Sequence, residues 1–171
     1  MNQWFLDQAR LGNMYQACSA GAVTLSTVST TCTGLSLSNG FGSGKVLVVQ
    51  SVAFAPSTAP AGAAVVGMAI HTAISETAVT HTTPMVIHNA LAAGDTTRGV
   101  GRADAASTLP STPLWLRPMA AVVAGSSITP AKYSEDCDGN IIILPGGALS
   151  LSYLTTAAVG IASVVWAEVD E

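Results

Sequence analysis

"DGNIIILPGGALSLSYL", residues 138–154, reads as a strand, a tight turn and a second strand. Asp138-Gly139 opens the first strand, and Pro145-Gly146-Gly147 supplies the backbone freedom for the turn. In the second strand Leu149, Leu151 and Tyr153 face one way, and Ser150 and Ser152 the other. The same alternation of apolar residues with Ser or Thr recurs upstream in "AVTLSTVST" (22–30) and "CTGLSLS" (32–38). "KVLVVQSVAFA" (45–55) is apolar on both faces near its start, as in a strand inside a sandwich or beneath an interface. With "AAVVGMAIHTA" (63–73) it is expected to form a hairpin-like pair over residues 45–74, turning through "PSTAPAG" (56–62).

Further strands are "PMVIHNAL" (84–91), "PLWLRPMAAVVA" (113–124) and the closing "AVGIASVVWAEV" (158–169). Pro118 lacks a ladder donor, which places its strand at an edge or on a bulge. Residues 94–112, with Asp95, Arg98, Arg102 and Asp104, read as an exposed polar loop. "GSSITPAKYSEDCDGN" (125–140) reads as a turn-rich connection. About eight to ten short strands at regular spacing, with almost no helical period, predict an all-β antiparallel sandwich of jelly-roll-like form over residues 22–171.

Residues 1–21 have a different character and predict an N-terminal arm. Trp4 and Leu11 are seven apart, as on one helical face, but Gly12 and Asn13 end any helix early. Trp4, Phe5, Leu6, Leu11, Met14 and Tyr15 are the arm's large apolar residues. Burying each is worth roughly 1.5–3 kcal/mol, so something must cover them. A partner or sister subunit is expected to do so ahead of the chain's own sandwich.

Only 9% of the 171 residues are charged, against roughly 25% in ordinary soluble domains. Lys45 and Lys132 are the only lysines. Such a neutral, hydroxyl-rich surface suits a chain that buries much of its outside against copies of itself or a partner. With net charge −4 and no basic patch, direct nucleic-acid binding is not expected. No apolar run approaches the ~20 residues of a membrane span, and the N-terminus lacks the basic region of a signal peptide. Cys18, Cys32 and Cys137 form no CxxC; free thiols in a reducing compartment are expected, with a Cys18–Cys32 bridge left open.

The chemical motifs fail one by one. His71, His81 and His88, with Glu76 between the first two, invite a cupin-like metal site, but their spacing does not match one. "DCDGN" (136–140) starts like a calcium loop, yet "IIIL" stands where the later ligands belong. "GSGK" (42–45) is a fragment of a phosphate loop that runs into a strand. No nucleophile has a sequence-defined base. The expectation is a non-enzymatic protein without cofactor, metal or catalytic residue.

"VLVVQSVAFA" (46–55), "PLWLRPMAAVVA", "DGNIIILPGGALSLSYLTTAA" (138–158) and the terminal "VGIASVVWAEVDE" (159–171) form an ordered set over roughly residues 44–170. In that order the chain resembles small virion structural proteins of tailed bacteriophages. The resemblance implies a jelly-roll or similar sandwich on the capsid exterior, assembled in the host cytoplasm. It implies a decoration or cement protein bound to the major capsid protein, a homotrimer first and a dimer second. It carries over no catalytic residue and does not cover the arm. A tail-fibre or receptor-binding tip is the alternative function, and a cupin-like metalloenzyme the second. Trp115 and Arg117, two apart on one strand, are expected to share a face at an interface or the edge of the core, because Trp and Arg most often anchor interfaces.

Overall fold

A computed structural model describes residues 2–71, 78–91, 99–123 and 132–171. These form one short helix, α1 (Gln3–Arg10), and twelve strands: β1 (Met14–Cys18), β2 (Val23–Thr24), β3 (Thr31–Asn39), β4 (Lys45–Pro56), β5 (Ala64–His71), β6 (Thr80–Pro84), β7 (Ile87–Asn89), β8 (Gly101–Thr108), β9 (Leu114–Val122), β10 (Tyr133–Ile143), β11 (Ala148–Leu154) and β12 (Val159–Asp170). Ten have five residues or more. They build two antiparallel sheets packed face to face, as the alternation predicts. The first sheet has the order β10-β4-β12-β1-β7, with β2 also on β12; the second is β6-β8-β3-β11-β5-β9. No helix among the described residues is long and apolar enough to cross a membrane.

The core lies between the sheets. Leu47, Val49, Val52 and Phe54 of β4 meet Leu35 and Leu37 of β3, Met68 of β5, and Leu149 and Leu151 of β11. Tyr15 stacks on Trp166 with ring centroids 6.0 Å apart. Strand β4 is apolar on both faces because α1 covers its outer side. Phe5 is fully buried there against Met14, Val48 and Ala167.

That packing corrects the expected arm. Strand β1 runs inside the first sheet, between β12 and β7, with Tyr15 opposite Trp166 and Asn89. Asn2 caps the helix, its side chain accepting from the Trp4 amide at 3.1 Å. Gly12, at φ 76, ends it where the sequence predicts. Phe5, Met14 and Tyr15 are therefore covered by this chain's own sandwich, and no boundary falls at residue 21. The physical reason is edge protection: β1 pairs the side of β12 turned away from β4. Trp4 and Leu11 stay exposed and Leu6 is half-buried.

The expected pairings are corrected too. Strands β4 and β5 do not form a hairpin; they lie in opposite sheets. The same holds for β10 and β11, so Pro145-Gly146-Gly147 is a corner between layers. Gly146 (φ 84) donates to the Asn39 carbonyl at 2.9 Å, and Gly147 to that of Leu144 at 2.9 Å. Asp138-Gly139 does not open a strand. Both have positive φ in a register shift between Asp136 and Ile141, within β10. The expected turn-rich connection is thus strand from Tyr133 onward. Residues 101–108 of the expected loop are strand β8, with Asp104 buried; Asp95 and Arg98 lie outside the described residues.

Candidate functional site

Three features stand out: the open edge formed by β9, a buried carboxylate clamp between the sheets, and a cavity over the second sheet.

Among the described residues strand β9 pairs only with β5, at the edge of the second sheet. Leu114, Trp115 and Leu116 are 61%, 39% and 40% exposed, three consecutive large apolar side chains. The register jumps over Leu116: Trp115 lies opposite Ala69 and Arg117 opposite Met68. Directly opposed residues share a face, and Met68 lies in the core while Ala69, next to it on the strand, is buried on the sheet's other face. Trp115 and Arg117 therefore point to opposite faces, contrary to the spacing-of-two expectation. A bulge inverts the alternation, and Pro118, opposite Gly67, adds the edge irregularity its missing donor predicts. Arg117 reaches across the sandwich flank, Nη1 donating to Glu135 Oε1 of β10 at 2.8 Å. It ties the two edge strands together. Trp115 covers Gly67, where an added Cβ would lie 2.6 Å from the indole.

Glu168, on β12, is almost fully buried. Its Oε1 accepts from the Gly101 amide at 2.8 Å and from Trp166 Nε1 at 3.0 Å, and its Oε2 from the Val100 amide at 2.8 Å. This carboxylate on the first sheet anchors the start of β8 in the second. The Trp-x-Glu ending of the chain was its only signal in the sequence.

The outer face of the second sheet carries a cavity of about 400 Å³. Arg102, His81 and Ser38 line it together with the apolar Phe41, Val79 and Val100. His81 Nδ1 is 2.7 Å from Asp104 Oδ2. Burial raises the Asp104 pKa above the ordinary carboxylate value; hydrogen bonding to His81, its charge and that of Arg102 oppose the shift. Arg102 Nη1 donates to the Gly99 carbonyl at 3.2 Å and to that of Gly101 at 3.5 Å. The sequence reading missed Asp104 because polar residues at 94–112 suggested a loop, and a charge on a strand is not told from a charge on a loop without its partner.

The three histidines do not converge. His71 pairs with Ser111 Oγ at 2.7 Å, His81 with Asp104, and His88 sits on β7 in the other sheet. Glu76 lies outside the described residues, and among those described no three metal-ligating side chains cluster. The cysteines are free: Cys18 exposed, Cys32 and Cys137 buried, with no Cys18–Cys32 bridge. Burial pushes both buried thiols up to about 11. No protein-family model, curated protein or solved structure matches the chain.

Proposed function

We propose that this chain is a non-enzymatic virion structural protein of the decoration or cement type. It binds an assembled bacteriophage head and bridges neighbouring major capsid subunits, as a homotrimer first and a dimer second. The carrying observation is the β9 edge: Leu114, Trp115 and Leu116 exposed together on a chain with only 9% charged residues. Large apolar side chains left exposed along the edge of so neutral a protein favour burial against a partner. The ordered likeness of residues 44–170 to phage virion proteins supplies the partner class. Because α1 docks on its own sheet, attachment moves from the expected arm to this edge, with Trp4 and Leu11 as secondary contacts.

The mechanism is thermodynamic. A ligand that binds only the assembled shell stabilises it by mass action, and symmetric copies multiply a modest contact. The test is sedimentation of purified heads with wild type and with the L116D variant. Wild type should co-sediment in amounts stoichiometric with the major capsid protein, and L116D should stay in the supernatant while remaining folded. Co-sedimentation of L116D at wild-type level would remove the edge from the mechanism. Recovery of a few copies per particle, on tails, would replace decoration by the tail-tip reading.

A further inference from the structure

The cavity over the second sheet has no part in that reading, and its walls are built for a ligand. Its lining includes charged and hydrogen-bonding groups, Arg102, His81 and Ser38, and large apolar ones, Phe41, Val79 and Val100. Among the described residues, Arg102 bonds to the carbonyls of Gly99 and Gly101 and forms no ion pair with a carboxylate. A guanidinium in that position has donors to spare, in a fork that matches an oxyanion. Asp104 holds His81 by Nδ1, so Nε2 is the nitrogen available to a ligand. The guanidinium and the imidazole thus offer polar hydrogens to one cavity.

Part of the apolar lining is set in place. Asn39, almost fully buried, donates through Nδ2 to the carbonyls of Lys45 at 2.7 Å and Ile143 at 3.1 Å. Its Oδ1 accepts from Ser43 Oγ at 2.7 Å, and its backbone exchanges bonds with Gly146 and Gly147. These bonds pin both ends of the turn that presents Phe41, whose ring is half exposed. A large apolar ring on a fixed turn lines the same cavity as a guanidinium with no ion pair among the described residues, which makes the site amphipathic, and its volume is in the range of small-molecule sites.

We infer that this cavity binds an acidic sugar unit, its carboxylate or phosphate on Arg102 and His81 and its ring against Phe41. The inference is independent of capsid binding. The test is amide NMR of the full chain titrated with sodium glucuronate, glucose 6-phosphate, glucose and acetate. Probes run to roughly 10 mM, tenfold above a millimolar Kd. Glucuronate or glucose 6-phosphate should give saturable shifts at Phe41, Gly101 and Arg102; which of the two does so identifies the head group. Glucose, which lacks the head, and acetate, which lacks the ring, should leave those amides unmoved. R102Q should weaken binding about tenfold or more, the loss of a charge-assisted contact, and F41A should weaken it with the fold intact by circular dichroism. No saturable shift with either acid, equal shifts with glucose, or unchanged affinity in R102Q would overturn the proposal.

Discussion

Replacing Glu168 with Gln isolates the clamp between the sheets. The two side chains have nearly the same shape, so packing is conserved. The amide has one carbonyl oxygen where the carboxylate has two acceptors. Turned to keep the Gly101 and Trp166 bonds, its NH2 faces the Val100 amide, donor against donor; turned the other way, it faces both of the others. At least one bond to a charged group is lost, worth about 1.5–3 kcal/mol, and a buried N–H is left unpaired. Relief of the carboxylate's own desolvation offsets part of this. The net expectation is a loss of about 2 kcal/mol, a fall in Tm of roughly 4–8 °C for a chain of this size. E168A leaves all three donors unpaired and should cost about 4 kcal/mol or more. Denaturant unfolding followed by tryptophan fluorescence, at fixed protein concentration, measures both. An E168Q protein as stable as wild type would refute the reasoning, since the three short bonds would then contribute nothing net.

F5A removes the side chain that seats α1 on β4 and β12; a loss of about 3 kcal/mol is expected, and a Tm unchanged within error would mean the helix is not docked there in solution. G67A would place a Cβ 2.6 Å from the Arg117 carbonyl oxygen and from the Trp115 ring, so it should cost about 1–3 kcal/mol and loosen β9, seen as faster amide exchange along that strand. Only Cys18 should react with a thiol reagent in the native protein, and all three cysteines after denaturation. Between an ordinary 9.0 and about 11, the folded state keeps the Cys32 and Cys137 protons that the unfolded chain releases. Stability should therefore be full below pH 9 and fall as pH rises through that window; C32A/C137A, compared with its own value at pH 8, should fall less steeply.

The strands themselves were readable. "VLVVQSVAFA" needed cover on both sides, and it has the core on one and α1 on the other. Pro118 announced an irregular edge, and Gly12 the end of the helix. What failed were the inferences that paired one strand with the next. Trp115 and Arg117 are put on opposite faces by a bulge at Leu116, which shows only in the pairing with β5. Asp104 was read as solvated because its partner, His81, is remote in sequence and meets it only across the β6–β8 pairing.

Local chemistry acts within a few residues, so the sequence by itself determined the β class, most strand positions, the short capped helix and the neutral surface. The partners were decided elsewhere. None of the ten strand pairings among the described residues joins strands consecutive in the chain. Any apolar, alternating strand satisfies any other locally, because ladder hydrogen bonds carry no side-chain identity and period-2 patterns are interchangeable. Only the packing of whole sheets distinguishes the options. Trp166 must find Tyr15, Glu168 the start of β8, and Phe5 the outer face of β4, and those contacts exist only once both layers have closed.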